Sequence, residues 1–122
     1  MNEVTVLIID DALFMRTVLK KILTDGGYQV VGEAENGLIG VQQYKELNPD
    51  VVFLDITMEV MDGIAAARYI KTYDPHAKII MCSAMTRQQA YLDDAKEVGA
   101  QGIIVKPFNK KIVLTEIEKV LS

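Results

Sequence analysis

The stretch DVVFLDI, residues Asp50–Ile56, decides the fold class. Four apolar residues follow one another in it without alternating with polar ones, which is typical of a strand buried on both faces of a parallel sheet. Four further runs are similarly rich in Val and Ile: Val4–Asp10, Tyr28–Ala34, Ala77–Ala84 and Gln101–Lys106. The sequence therefore predicts five strands of one parallel sheet.

The segments between these runs have the spacing of amphipathic helices. In the first segment Phe14, Val18 and Ile22 recur every four residues and Leu19 and Leu23 widen the row, which predicts an apolar stripe that packs on the sheet. The last segment, Lys110–Leu121, is a further predicted helix. Because strands and helices alternate, we expect βα repeats with right-handed crossovers, and hence an α/β fold over residues 1–122 as a single domain.

Length, charge and cysteine content exclude several classes of protein. The chain has 122 residues and a net charge of −4, so it has the size of one domain and no broad basic surface for nucleic acid. Its apolar runs are far shorter than the roughly 20 residues that cross a bilayer. Cys82 is the only cysteine, which excludes an internal disulfide and fits a reducing compartment. We therefore expect a cytoplasmic protein that binds no nucleic acid and does not insert into membranes.

Polar side chains stand where the predicted strands end. Asp10 and Asp11 end the first strand, Asp55 ends the third, Ser83 the fourth and Lys106 the fifth. In an open parallel sheet, ligands bind at the carboxyl ends of the strands, where the strand order reverses. We therefore expect these five residues to gather at one edge of the sheet.

The charges of this group indicate its chemistry. Two carboxylates about 4 Å apart repel by about 4 kcal/mol at an effective dielectric constant near 20, so three of them need either raised pKa values or a bound cation. Mg²⁺ fits an all-oxygen donor set of one or two carboxylates, waters and a phosphate oxygen. Asp55 could then attack a phosphoryl group, with Lys106 neutralising charge and Ser83 donating a hydrogen bond. The pattern predicts a phosphoryl-transfer site.

Five motifs carry a family resemblance: Ile8-Ile9-Asp10-Asp11, Asp55-Ile56-Thr57-Met58, Met61-Asp62-Gly63, Cys82-Ser83-Ala84 and Val105-Lys106-Pro107-Phe108. With them the chain resembles the response-regulator receiver family, and within it the CheY-like branch of chemotaxis regulators. The resemblance extends from about Val4 to Leu121. It implies a flavodoxin-like (βα)5 doubly wound sandwich with strand order 2-1-3-4-5. It also implies a cis peptide bond between Lys106 and Pro107.

The resemblance assigns a role to each site residue. It implies that Asp55 is the phosphoacceptor and that Asp10 and Asp11 bind Mg²⁺ with it, directly or through water. The backbone carbonyl of Thr57 would be a further metal ligand. Such a protein catalyses only its own phosphorylation and dephosphorylation.

The resemblance also implies partners. A histidine kinase would donate the phosphoryl group, which Ser83 and Lys106 would then contact. The output would be the binding of a downstream protein, for which the chemotaxis branch suggests the flagellar motor switch, and a phosphatase would reset the signal.

Three residues are candidate modulators of this switch. Glu59 stands where receivers usually have proline, which puts an acidic side chain near the mouth of the pocket. Ile103 stands where the family often has Tyr or Phe, so it offers neither a ring nor a hydroxyl to the activated state. Met85 lies two residues after Ser83, where it could restrict the access of water to the acyl phosphate.

Two other interpretations stay open. The chain could be the receiver of a larger regulator, such as a transcription factor or methylesterase, or a phosphorelay intermediate, and its pocket would be the same. It could also be a Mg²⁺-dependent phosphatase with an aspartyl-phosphate intermediate. Such enzymes usually have a general acid two residues after the nucleophile, where this chain has Thr57.

Overall fold

The computed structural model describes residues 3–56, 58, 60–84 and 89–122, with residues 89–91 described by their backbone alone. Strands and helices alternate throughout this part of the chain, as predicted. The strands are β1 (Thr5–Ile9), β2 (Gln29–Ala34), β3 (Val51–Asp55), β4 (Ile79–Ser83) and β5 (Gly102–Val105). The helices are α1 (Leu13–Asp25), α2 (Gly37–Leu47), α3 (Gly63–Tyr73), α4 (Gln89–Glu97) and α5 (Lys110–Leu121).

The sheet has the order β2-β1-β3-β4-β5, and every pair of neighbouring strands is parallel. This is the predicted flavodoxin-like arrangement. Ile9 pairs with Leu54 across β1 and β3, and Asp55 pairs with Cys82 across β3 and β4. The carboxyl ends of the central strands are therefore level with one another, which brings the residues that follow them to one edge.

The core lies on both faces of the sheet, which explains the continuous apolar runs. In β3, Val52 and Leu54 pack into a core cluster with residues of α2 and α3. Val51 and Phe53 point to the opposite face and pack into a cluster with residues of α1 and α5. Because successive side chains of a strand alternate between faces, a strand covered on both sides needs apolar residues at every position.

One predicted apolar stripe is wrong at its first residue. Phe14 is 74% exposed, whereas the buried residues of α1 are Leu19 and Leu23. An α-helix has 3.6 residues per turn, so a row of every fourth residue turns by about 40° per step around the helix. The row that starts at Phe14 therefore begins on the solvent side and becomes half-buried at Val18 and Ile22, of which Ile22 packs against the core.

No helix within the described ranges is long and apolar enough to cross a membrane.

Candidate functional site

The carboxyl edge of the sheet brings three of the predicted aspartates together. Asp10 follows β1, Asp55 ends β3, and these two strands are neighbours. One carboxylate oxygen from each of Asp10, Asp11 and Asp55 lies within 4.8 Å of the other two. Asp10 and Asp55 are only 2% and 4% exposed, whereas Asp11 is exposed. The cluster is thus two buried acids with a third at the surface.

Lys106 reaches the two buried acids from the far side of β4. Its Nζ lies 3.0 Å from Oδ2 of Asp10 and 3.4 Å from Oδ1 of Asp55. Its backbone N–H donates a 2.7 Å hydrogen bond to the carbonyl oxygen of Ser83, which continues the β4–β5 pairing beyond β5. The peptide bond from Lys106 to Pro107 is cis, as expected. One lysine therefore contacts both buried carboxylates.

The pocket holds more negative than positive charge, and the pKa of Asp55 reflects this. Burial, followed by the charge of Asp10, raises the pKa of Asp55 to about 6, although Lys106 opposes the shift. Burial alone would lower the pKa of Lys106, but its hydrogen bond to Asp10 and the charge of Asp55 outweigh burial, so that pKa is raised. A cation close to the carboxylates would relieve the remaining repulsion.

Asp10 is held in place by four hydrogen bonds. Its backbone N–H donates to the carbonyl oxygen of Ala34 at 3.0 Å, and its own carbonyl oxygen accepts from Nη1 of Arg16 at 2.6 Å. In the side chain, Oδ1 accepts from the N–H of Ala12 at 2.9 Å and Oδ2 accepts from Lys106. Both the backbone and the carboxylate of Asp10 are therefore held in one position.

The end of β3 is shaped by a glycine. The N–H of Gly63 donates a 2.7 Å hydrogen bond to the carbonyl oxygen of Ile56, and a Cβ atom on Gly63 would collide with the carbonyl oxygen of Asp55. Asp62 caps α3, because its side chain accepts from the N–H of Ala65 at 2.8 Å. The Asp62-Gly63 pair thus lets α3 begin directly against the end of β3.

The cluster fits a hard divalent cation by the chemistry of its donors. Asp10, Asp11 and Asp55 offer carboxylate oxygens only, and carboxylates with water are the ligands that Mg²⁺ uses in proteins. The exposed position of Asp11 leaves a side of the cluster open to solvent. Thr57, whose backbone carbonyl was the fourth predicted ligand, lies outside the described residues.

Ser83 ends β4 opposite Val105 of β5, at the same edge of the sheet. Its hydroxyl donates a 3.1 Å hydrogen bond to the carbonyl oxygen of Ala84 rather than to the carboxylates. Ile103 is half-buried and packs against the core cluster on the side of α2 and α3. Its backbone N–H donates to Oε2 of Glu116 at 3.1 Å. Ile103 thus occupies core space between β5 and the helices.

Two of the predicted modulators, Glu59 and Met85, lie outside the described residues, so their roles stay predictions.

An apolar groove of about 430 Å³ opens beside Lys106, between the start of α1 and the segment after β5. Its lining residues are Phe14, Met15, Val18, Ala84, Lys106, Pro107 and Phe108. The exposed ring of Phe14 belongs to this groove and not to the core. The sequence signal for the groove was the pair of rings at Phe14 and Phe108, each close in sequence to a site residue.

Sequence reasoning also missed Arg16. Its guanidinium group binds the backbone of Asp10 and the side chain of Glu33, so it belongs to the structure around the acidic cluster. The sequence has a cation five residues after Asp11 and an acid near the end of the second predicted strand, which is a signal for the Arg16–Glu33 ion pair but not for the bond to the backbone of Asp10.

Comparison with known proteins identifies the class. The family model for the response regulator receiver domain matches residues 6–118, so the chain belongs to the receiver-domain family of response regulators. Within that family it is CheY-like and belongs with the response regulators of chemotaxis. The chemotaxis protein CheY of Listeria monocytogenes is 54% identical over 113 residues, which cover 93% of this chain and 94% of that protein. CheY of Thermotoga maritima is 54% identical over 115 residues, covering 94% and 95%.

Solved structures agree. The crystal structure of a CheX-CheY-BeF3-Mg²⁺ complex from Borrelia burgdorferi contains a chain that matches with a TM-score of 0.91 and 38% identity. The match covers 97% of this chain and 89% of that one. The strand order and the acidic cluster Asp10, Asp11 and Asp55 are therefore those of a receiver domain with its typical metal site.

Proposed function

We propose that Asp55 accepts a phosphoryl group from a histidine kinase, and that the chain, residues 1–122, works as one receiver domain. The observation that carries the proposal is the contact of Lys106 with both buried carboxylates, Asp10 and Asp55, at the carboxyl edge of the sheet. A buried carboxylate with a cation beside it is a nucleophile whose product, an aspartyl phosphate, has a charge partner ready in place.

The step itself forms one bond and breaks one. An oxygen of Asp55 attacks the phosphorus atom of a phosphohistidine, the P–N bond breaks, and the histidine nitrogen keeps the electron pair and takes up a proton. Asp10, Asp11, Asp55 and the carbonyl of Thr57 would hold Mg²⁺, which would supply positive charge to the phosphoryl oxygens.

Two side chains change their contacts after the transfer and bind the phosphoryl group. Lys106 moves its charge from Asp55 to a phosphoryl oxygen, which its flexible stem permits. Ser83 exchanges its hydrogen bond with the carbonyl of Ala84 for one with the phosphoryl group. Because the hydroxyl of Ser83 is bonded to the carbonyl oxygen of the next residue in the structure, this exchange releases the backbone at Ala84 and makes the site a switch.

The signal leaves the pocket through the surface of α4, β5 and α5, which binds a downstream protein. Val105 of β5 and Ile112 of α5 are exposed apolar side chains on that side, and such residues form the centres of protein interfaces. We propose the flagellar motor switch as the target, in line with the chemotaxis relatives. We propose a phosphatase as a second partner, in line with the CheX-CheY complex of the Borrelia burgdorferi relative. We also propose that the protein is located in the cytoplasm.

The kinase in turn needs a surface near Asp55. The apolar groove with the exposed ring of Phe14 offers one, since it is also lined by Lys106, which contacts Asp10 and Asp55. We also propose that the chain has no substrate other than its phosphodonor, so that it catalyses only its own phosphorylation and dephosphorylation.

The proposal is tested by incubating the protein with acetyl phosphate and Mg²⁺ and measuring the intact mass. We expect a gain of one phosphoryl group in the wild type and none in Asp55→Asn. Asp50→Asn is the matched control, because it changes the aspartate directly before β3, at the opposite end of that strand, and should label normally. Labelling of Asp55→Asn at the wild-type level would overturn the assignment.

A further inference from the structure

Arg16 joins three elements around the acidic cluster. It lies in the first half of α1, and its side chain is only 13% exposed. Nη1 donates a 2.6 Å hydrogen bond to the carbonyl oxygen of Asp10, and Nε lies 3.3 Å from Oε1 of Glu33 in β2. One guanidinium group therefore connects the end of β1 to α1 and β2.

The bond to Asp10 acts on the peptide group that carries Asp11. The carbonyl oxygen of Asp10 belongs to the peptide unit between these two residues, and such a unit is planar. Fixing that oxygen fixes the plane from which the backbone of Asp11 continues. Charge-assisted hydrogen bonds are short and strong, and the bond from Arg16 is among the shortest around the site.

Arg16 is itself held in place by Glu33. Glu33 is tied to α2, since Nε2 of Gln43 donates to its backbone carbonyl oxygen at 2.9 Å. Its other carboxylate oxygen lies 3.4 Å from Nζ of Lys20, which is half-exposed on α1. The planar fork of an arginine can serve a carbonyl and a carboxylate at the same time, which a lysine cannot do in the same geometry.

We propose that Arg16 is a positioning residue for the metal site. It clamps the Asp10-Asp11 turn from outside the pocket while Lys106 holds the carboxylate of Asp10 from inside. The turn is thereby kept in the conformation in which the carboxylates of Asp10, Asp11 and Asp55 converge. This inference rests on the proposed function, because the cation concerned is the Mg²⁺ of the phosphorylation site.

Positioning and simple electrostatics predict opposite results. Arg16 brings a positive charge to an acidic pocket, so on charge alone its removal should strengthen the binding of Mg²⁺. If Arg16 instead holds the ligand turn, its removal should weaken the binding. Groups that orient metal ligands typically change metal affinity by 10- to 100-fold when they are removed.

The experiment measures the dissociation constant of Mg²⁺ by calorimetry in the wild type and three variants, in the absence of any phosphodonor. We expect a loss of roughly tenfold for Arg16→Gln and a smaller loss for Arg16→Lys, which keeps the charge but not the fork. Lys20→Gln is the matched control: it removes a cation from the same helix and the same partner, Glu33, and should leave Mg²⁺ binding unchanged.

A second readout uses the metal-free protein. The amide of Ala12 donates to the carboxylate of Asp10, so its hydrogen exchange reports on the turn directly. We expect faster exchange at Ala12 in both variants of Arg16 than in Lys20→Gln. The amide of Ile39, which donates to the side chain of Asn36 at the start of α2, is the internal reference for a turn that Arg16 does not contact.

The outcomes separate the two claims. Weaker Mg²⁺ binding with faster exchange at Ala12, in Arg16 variants alone, supports the inference. Unchanged or tighter binding in these variants would overturn it and leave the phosphorylation site intact. A wild type that binds no Mg²⁺ would overturn the metal site and the inference together.

Discussion

The two ends of the sheet both carry aspartates, and they use them differently. At the amino end, Asp50 accepts hydrogen bonds from the N–H and hydroxyl groups of Thr5 at 2.8 and 3.1 Å. Asp74 accepts from the hydroxyl of Tyr44 at 2.8 Å. At the carboxyl end, Asp55 faces the carboxylates of Asp10 and Asp11 instead.

The difference lies in the partners of the carboxylates, since the cavities are similar. A groove of about 440 Å³ lies at the amino end and one of about 430 Å³ beside the site at the carboxyl end. Neutral donors satisfy the acids at the amino end, so these acids hold β1 to the start of β3 and α2 to the end of α3. Acids that converge on one another repel, and the repulsion is relieved by binding a cation or a proton. A carboxylate cluster is therefore a better indicator of this site than a cavity is.

Removal of Mg²⁺ should have the largest effect on phosphorylation at the carboxyl end of the sheet. With excess EDTA we expect phosphorylation by acetyl phosphate to stop, because nothing then offsets the negative charge of the cluster and the phosphoryl oxygens. The circular dichroism spectrum should stay unchanged, since the described core is apolar and needs no metal. Transfer at an equal rate without metal would contradict the account.

The substitution Lys106→Met should rank next. Loss of a single charge-stabilising donor typically slows a transfer by about 10²- to 10³-fold, and we expect a loss near the lower figure in the phosphorylation rate. Lys78→Met is the control, because Lys78 lines the groove at the amino end. If both variants were phosphorylated at the same rate, the two ends would not differ as proposed.

Stability should change in opposite directions at the two ends of β3. The pKa of Asp55 is raised from 3.8 to about 6 by folding, so the metal-free native state binds more protons than the unfolded state between these values. Stability therefore falls as pH rises through this window, and by pH 7 the charged Asp55 costs about 3 kcal/mol. Asp55→Asn removes that cost, so we expect it to unfold at higher urea concentration than the wild type at pH 7.

The contrasting variant is Asp50→Ala, which loses the hydrogen bonds from Thr5. We expect it to be less stable than the wild type by about 1 kcal/mol. Urea unfolding at pH 5 and pH 7 measures both effects. Destabilisation by Asp55→Asn at pH 7 would show that the cluster is satisfied as it stands.

The sheet and the aspartate cluster could be predicted from the sequence. The five continuous apolar runs predicted the parallel sheet, because only strands covered on both faces need apolar residues throughout. Asp10, Asp11 and Asp55 could be placed together because parallel strands align their carboxyl ends. The exposure of Phe14 could not be predicted by counting every fourth residue, because such a row turns gradually around the helix.

The role of Arg16 could not be predicted from the sequence for a different reason. Its partner is the backbone carbonyl of Asp10, and the residue type at that position does not indicate such a bond. The same holds for Ser83, whose hydroxyl bonds to the neighbouring carbonyl of Ala84. Contacts with the backbone depend on the path of the chain, which the residue pattern alone does not specify.

The smallest effect concerns Ile103, which packs in the core where the family often has a ring. We expect phosphorylation to shift amide NMR signals across β5 and α5 all the same, since the backbone of Ile103 is bonded to Glu116 of α5 and β4 is paired to β5. Shifts confined to the residues around Asp55 would mean that the chain is a phosphate sink and not a conformational switch.

The most direct test of the central claim maps the phosphoryl group itself. The protein is labelled with acetyl phosphate and Mg²⁺, the acyl phosphate is reduced with borohydride, and the modified residue is located by peptide mass spectrometry. The account predicts modification at Asp55 alone. Modification at Asp10, Asp11 or Asp50 in place of Asp55 would contradict it.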